Sequence, residues 1–306
     1  MSSVSPSSVS LGSRVPDEDD RRFVLTLGCL DRPGVIARIT SLIAEFGGSI
    51  VEAGYHSDAD TGWFFTRQAI KAATVPFEFA RLRARFAALA EEFGPETEWQ
   101  LLDSGARRTA VLLVSKDGHC LHDLLGRASS GELPADIAAV IGNHPDLGAI
   151  TEAHGVPFHH VRFPKDPAER GPAFEQVREL VDKHDPDAVV LARFMQVLPA
   201  ALCAHWAGKA INIHHSFLPS FVGARPYHQA FARGVKLIGA TCHYVTPELD
   251  AGPIIEQDVT RIDHADDVRD MVRQGRDIER VVLARGLRWH LEGRVLVHGR
   301  RTVVFS

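Results

Sequence analysis

Hydrophobic positions in the first third of the chain switch between two periods. Residues 23–27 (Phe-Val-Leu-Thr-Leu) make a short apolar run of strand character, and residues 34–46 carry Ile36, Ile39, Leu42 and Ile43 at helical spacing. Strand composition returns over 49–55 and 62–70, a helical period over 77–93, and a strand over 97–102. This β-α-β-β-α-β order predicts a ferredoxin-like unit, an antiparallel sheet covered on one face by two helices.

Residues 103–108 (Asp-Ser-Gly-Ala-Arg-Arg) have linker composition. Beyond them, strands and helices alternate as in a mostly parallel, Rossmann-like α/β sheet. Strands are expected over 110–114, 137–141, 158–162, 188–191, 209–213 and 238–245. Helices are expected over 121–127, 172–184 and 266–290, the last followed by two short strands. The chain thus divides into a tail (1–20), a ferredoxin-like unit (21–104) and a larger α/β unit (109–306). The tail is Ser- and Pro-rich, lacks the apolar core of a secretory signal, and is expected to be disordered.

Composition narrows the function classes. A net charge of −5 over 306 residues argues against a nucleic-acid grip. Arginines are dense over 269–288, but Asp270, Asp277 and Glu279 interleave with them, which reads as a solvated helix face. No apolar run reaches the roughly 18 to 20 residues needed to span a bilayer. Cys29, Cys120, Cys203 and Cys242 are far apart and form no Cys-x-x-Cys pair, so neither a disulfide framework nor a zinc site is expected, and a reducing cytoplasm fits. The doublets His159-His160 and His214-His215 lack metal-ligand spacing, and no metal or cofactor is expected.

The candidate chemistry lies where the run 209–213 ends in polar residues. Asn212 and His214 are two positions apart, so at a strand end they project to one side. Pro219, Gly223 and Pro226 then form an open loop, and Asp250 follows in Leu-Asp-Ala-Gly-Pro. An amide, an imidazole and a carboxylate suit acyl transfer without a covalent intermediate: a donor for an oxyanion, a proton carrier, and a group to orient it. The spacing does not divide the proton-transfer roles between His214 and Asp250.

Asn212-x-His214 with Ser216-Phe-Leu-Pro-Ser-Phe-Val-Gly223 and Asp250-Ala-Gly-Pro-Ile254 resembles the folate-dependent formyltransferase family. The fuller string from Asn212 to Gln229, with Gly239-Ala-Thr-Cys-His-Tyr-Val245, is most similar to the branch that hydrolyses 10-formyltetrahydrofolate to formate and tetrahydrofolate. The resemblance implies catalysis by Asn212, His214 and Asp250 and supply of formate to one-carbon and purine metabolism. It also implies folate as substrate rather than cofactor, held by Met195, Gln196, Leu198, Val245 and Gly252. Leu30-Asp-Arg-Pro-Gly-Val35 resembles the ACT family of small regulatory domains. That implies a homo-oligomer, dimer or tetramer, and an amino-acid effector near Asp31 and Gly34, unless the unit only assembles subunits.

One turn separates the branches. Family members that formylate glycinamide ribonucleotide carry a small Gly/Ser/Asn-rich turn after the first strand of the α/β unit, where backbone N–H groups hold the acceptor's phosphate. Here the turn reads Val114-Ser-Lys-Asp-Gly-His-Cys120, with Asp117 opposing a phosphate and Lys116 partly offsetting it. Methionyl-tRNA formyltransferases usually add an RNA-facing domain after the catalytic one, and no basic extension follows here. An amino-acid-sensing binding protein with a silenced catalytic domain is the alternative from another class. Retention of all three polar residues argues against it.

Overall fold

The computed structural model describes residues 20–220 and 226–306; the expected tail, apart from Asp20, and Gly223 lie outside them. The first unit runs β1 (Arg22–Leu30), α1 (Val35–Glu45), β2 (Ile50–Asp58), β3 (Trp63–Lys71), α2 (Phe79–Phe93) and β4 (Glu98–Asp103). Its antiparallel sheet has the order β2-β3-β1-β4. Leu25, Leu27, Phe64 and Ile70 meet Ile39, Ile43, Leu82 and Phe86 from the two helices. The buried stripe of α1 is Val35, Ile39, Leu42 and Ile43, whereas Ile36 is 41% exposed. Both sets fit helical spacing, and the angle at which the helix docks selects between them.

The second unit contains β5 (Arg108–Val114), α3 (His119–Ser130), β6 (Ala135–Gly142), α4 (Gly148–Ala153), β7 (Phe158–His160), α5 (Gly171–Asp182), β8 (Ala188–Leu191) and α6 (Ala200–His205). It continues with β9 (Ala210–His214), α7 (Pro226–Arg233), β10 (Leu237–Tyr244), β11 (Ile254–Arg261), α8 (Val268–Leu291), β12 (Val295–His298) and β13 (Arg301–Val304). Seven strands form one sheet, β11-β10-β9-β8-β5-β6-β7. The strands from β9 to β7 are parallel, and β10 and β11 are antiparallel additions. Ala110, Leu112 and Val114 face the layer of α3 and α8, while Val111 and Leu113 face that of α5 and α6. Burial on both faces explains why β5 and β8 read as unbroken apolar runs.

Two features position chemistry. The chain leaves β5 for β6 on one side and later returns to β8 on the other, so the carboxyl ends of β5 and β8 flank a topological switch point, where ligands of open α/β sheets bind. The C-terminal hairpin β12–β13 lies against the outer face of the first sheet: His298 packs on Trp63 (4.6 Å between ring centroids) and Phe65 (5.4 Å). Among the described residues no helix is long and apolar enough to cross a membrane.

Candidate active site

Alternation along β9 sends Asn212 and His214 to one face. The antiparallel neighbour β10 sets His243 directly opposite Asn212 and Thr241 opposite His214. The Thr241 hydroxyl donates to the Ser216 carbonyl (2.9 Å) and accepts from Leu218 N–H (3.0 Å), pinning the loop after His214. Asp250 reaches the same spot with φ of 54°, a left-handed backbone rare for a residue with a side chain. The rest of the loop holds this strain in place. Two residues on, an added Cβ at Gly252 would lie 1.8 Å from the Tyr244 carbonyl oxygen, so only glycine fits the return to β11.

The four side chains form a cup. His214 Nδ1 lies 3.3 Å from Asp250 Oδ2, and His243 Nε2 lies 3.8 Å from Asp250 Oδ1. His243 is 3% exposed, and its Nδ1 is 2.8 Å from the Tyr244 carbonyl oxygen. A carbonyl only accepts, so Nδ1 carries the proton and Nε2 accepts from the Asn212 amide at 3.2 Å. Burial, against the bond to the Tyr244 carbonyl, lowers the pKa of His243 and keeps the ring neutral near pH 7. Burial would raise the pKa of Asp250, but the hydrogen bond with His214 and the imidazoles of His243 and His215 around it outweigh burial and lower it overall, so the carboxylate is anionic.

An anionic Asp250 orients His214 with Nδ1–H toward the carboxylate. His214 Nε2 is buried and has no hydrogen-bond partner among the described residues. The Asn212 amide has a second N–H beyond the one given to His243. A buried imidazole nitrogen without a partner among the described residues and an amide with a spare N–H therefore sit on the same face of β9, beside an anionic carboxylate.

The other expected site residues divide. Met195 (57% exposed) and Gln196 follow β8, and Met195 N–H donates to the Ser115 hydroxyl at 2.9 Å. Gln196 Oε1 is buried without a partner among the described residues. Leu198 packs in the hydrophobic core beneath, with half-buried Val245 against the same cluster. Asp31 and Gly34 belong to the first unit. Asp31 N–H donates to the Gly62 carbonyl (2.8 Å), and Gly34 caps α1 with φ of 94°.

A second polar cluster adjoins the cup, at the switch point. Glu279 is 1% exposed; its Oε2 is 2.8 Å from His119 Nε2 and its Oε1 accepts from the Tyr227 hydroxyl at 2.8 Å. Arg193, with φ of 66°, brings Nε to 3.4 Å from Glu279, Nη2 to 3.3 Å from Asp117, and Nη1 onto His215 Nδ1. Burial and then the Arg193 charge push His215 down to about 4, so it is neutral at pH 7. Two expectations change. Residues 269–288 are not a uniformly solvated face, because Glu279 points inward to fixed donors. Asp117 is offset by Arg193 and Arg276 (2.9 Å) rather than by Lys116.

His119, Cys120 and Glu279 have ligand atoms within 4.8 Å of one another. They fit a metal poorly. Glu279 already accepts two hydrogen bonds beside a guanidinium, and burial followed by the Glu279 charge raises the Cys120 thiol well above its usual range.

Sequence reasoning missed His243 and Glu279 as site residues. Thr241 and His243 alternate within an otherwise apolar strand, a signal for a polar face turned toward neighbouring chemistry. Glu279 stands four residues after Gly275 on α8, where an added Cβ would lie 1.9 Å from the Tyr227 hydroxyl oxygen. Gly275 therefore makes room for the tyrosine that reaches Glu279.

The family model for formyl transferases matches residues 108–287. The chain is 44% identical to a formyltetrahydrofolate deformylase of Corynebacterium sp. (strain P-1), over 92% of this chain and 98% of the relative. It is 43% identical to one of Bacillus subtilis, over 95% and 96%. The crystal structure of a formyltetrahydrofolate deformylase from Pseudomonas syringae pv. tomato superposes with a TM-score of 0.90 at 55% identity, covering 94% of this chain and 95% of that one. Glycinamide ribonucleotide transformylase 1 from Symbiobacterium toebii superposes at 0.62 with 29% identity, covering 68% of this chain and 98% of its own.

Proposed function

The chain belongs to the formyl transferase family, and from that membership we propose that it hydrolyses 10-formyltetrahydrofolate to formate and tetrahydrofolate. The observation that carries the reading is the unpartnered, buried Nε2 of His214, held by Asp250 beside the Asn212 amide.

Water attacks the formyl carbon while His214 Nε2 accepts its proton. The carbonyl oxygen becomes an oxyanion and takes the free N–H of Asn212. Asp250 stabilises the imidazolium that forms, as a fixed anion 3.3 Å away. The C–N10 bond then breaks as Nε2–H returns the proton to N10. This yields tetrahydrofolate and formic acid, which loses its proton to solvent.

Met195, Gln196, Val245 and Gly252 lie on the segments that would wall the folate, with Leu198 shaping the wall from below. The buried Gln196 oxygen, lacking a partner among the described residues, supports a polar contact there. Residues 21–104 act as an ACT-like unit that pairs copies of the chain and takes an amino acid near Asp31 and Gly34, and residues 109–306 carry catalysis. The chain works in the cytoplasm, supplying formate for one-carbon and purine metabolism, and its four buried free thiols suit a reducing compartment.

The deciding experiment measures formate and tetrahydrofolate released from 10-formyltetrahydrofolate without an acceptor, with Asp250→Asn as control. Stoichiometric release that vanishes in the control supports the reading. Turnover only when glycinamide ribonucleotide is supplied makes the chain a transferase. Sedimentation of the full chain tests assembly, and a monomer at micromolar concentration removes the pairing role.

A further inference from the structure

Where the two units join, beside the free edge of β4, lies a cavity of about 460 Å³, within the range of small-molecule sites. Phe79 from the first turn of α2 and Trp99 from β4 give it aromatic walls, Arg83 stands one turn further along α2, and Arg108 enters from the start of β5. Of the described residues that line it, only Asp103 is acidic, and its carboxylate already accepts from Arg21 Nε (2.9 Å) and the Gly105 N–H (2.9 Å). Arg83 has no hydrogen-bond or ion-pair partner among the described residues. Neither Asp31 nor Gly34 lines this cavity.

Arg108 is also the first link of a hydrogen-bonded series that ends at the Asn212 amide. Its Nη1 donates to Asp187 Oδ1 (3.0 Å), and the Asp187 carbonyl oxygen lies 3.1 Å from His290 Nε2. His290 Nδ1 is 2.9 Å from the Tyr244 hydroxyl. Desolvation lowers the pKa of His290, so its ring is neutral near pH 7. A carbonyl only accepts, so Nε2 carries the proton and Nδ1 accepts from Tyr244. The Tyr244 carbonyl in turn takes the Nδ1–H of His243, whose Nε2 holds the Asn212 amide. Hydrolysis uses none of Arg108, Asp187, His290 or the Tyr244 hydroxyl.

We propose that this cavity binds a small organic anion with a flat apolar body, seated on Arg83 and Arg108, and that its occupant slows the cup through the series from Arg108 to Asn212. The slowing rests on the hydrolase reading; the binding does not. An anion on Arg108 competes with Asp187 for the guanidinium, and the Asp187 backbone, His290, Tyr244 and His243 follow. The Asn212 amide then loses its fixed direction, at a cost no larger than removal of its acceptor would impose. Occupancy should therefore lower kcat by about two- to ten-fold and leave KM within about three-fold.

The probe is anilinonaphthalene sulfonate, a flat aromatic anion, titrated by fluorescence into the full chain while formate release from 10-formyltetrahydrofolate is followed in parallel. Arg83→Glu reverses the charge of an exposed, partnerless side chain, and Tyr244→Phe removes the hydroxyl link but keeps the buried ring, so both variants keep the fold. Arg83→Glu should weaken binding at least about ten-fold, the scale of one charge-assisted contact. Tyr244→Phe should bind the probe as tightly as the unmodified chain, yet its kcat should stay within about two-fold when the cavity is filled. No binding, or binding unchanged in Arg83→Glu, overturns the site. An unchanged kcat, a rise in KM alone because the probe competes with the folate, or an equal fall of kcat in Tyr244→Phe overturns the slowing. Hydrolysis without the probe is measured first; its absence brings down the hydrolase reading and the slowing with it, while the titration still decides the site.

Discussion

Replacing Asn212 with alanine isolates the oxyanion contact. The Asn212 amide gives one N–H to His243 Nε2 at 3.2 Å, and in the proposed mechanism the other goes to the reacting oxygen. That second bond is strongest once the carbonyl becomes an oxyanion, so its loss raises the barrier more than it weakens folate binding. Loss of one such donor costs about 2.7 to 4 kcal/mol, a fall in kcat of about 10² to 10³ at about 1.4 kcal/mol per decade. KM should stay within about three-fold. The same change strips His243 Nε2 of its donor, for about 1 to 3 kcal/mol of stability, visible as a lowered Tm in a protein that still folds. Formate release at saturating 10-formyltetrahydrofolate gives kcat, and a thermal melt separates the two effects. A kcat within three-fold of the parent, or a loss confined to KM, would refute the assignment of the amide to the oxyanion.

His243→Phe removes the acceptor that fixes the amide but keeps the donor, so kcat should fall by only about ten-fold, and a fall as large as that of Asn212→Ala would make His243 a direct participant. Asp250→Asn removes the charge opposite the imidazolium and should lower kcat by about 10² to 10⁴ with the fold intact; near-parental turnover would exclude His214 as proton carrier. Glu279 has a folded pKa below its unfolded value, because its hydrogen bond from His119 and the Arg193 charge outweigh a burial that would raise it. A depressed carboxylate contributes stability above the unfolded pKa of about 4.3 and loses it as pH falls through the folded pKa. Glu279→Gln should therefore be less stable than the parent at pH 7 and lose less between about pH 5 and 3, and denaturant melts that stay parallel across that range would contradict this. Removal of residues 1–104 should lower Tm and promote aggregation, since it uncovers the hairpin against which Trp63 and Phe65 pack, and an unchanged melt would show that contact to be dispensable.

Period and composition reveal much of this architecture because local rules govern it. The runs 110–114 of β5 and 188–191 of β8 are apolar throughout, since each is covered on both faces. Register and direction were less legible. Residues 254–261 carry Glu256, Gln257 and Asp258 and bury only Ile255, so β11 has no hydrophobic signature and is held as an edge by pairing with β10. The short helices α4 and α6 span barely two turns each and have no periodic pattern to read. Asn212, His214 and Asp250 were legible because a strand end and a turn-rich segment mark them. His243 was not, because its role arises from an antiparallel pairing 31 residues away. Glu279 looked like one member of a solvated charge series, and only the docking of α8 shows which turn faces inward.

That docking joins the two units. Arg67 in β3 is 4% exposed and donates to Glu52 (2.7 Å) and to the Glu292 carbonyl (3.4 Å) just past the end of α8, while Arg294 reaches the same Glu52 at 3.3 Å. Burial and the neighbouring Arg294 both lower the pKa of Arg67, and the Glu52 carboxylate, held anionic by the two arginines against its own burial, offsets them. At Gly54 an added Cβ would lie 2.6 Å from the Phe305 ring, so the hairpin reaches the first sheet at a point where a side chain would block it. These contacts span 225 and 242 residues of sequence. The first sheet can pair its strands and bury its helix face from local sequence alone, but its outer face, with Phe65 and Arg67, stays uncovered until the last hairpin exists. The helix that carries Glu279 into the crevice ends on that same face. The 13 residues from Glu279 to the Glu292 carbonyl span about 20 Å of one continuous helix and its cap. The position of Glu279 beside the cup is therefore set from two sides, by its donors in the crevice and by the seam that fixes the far end of the helix.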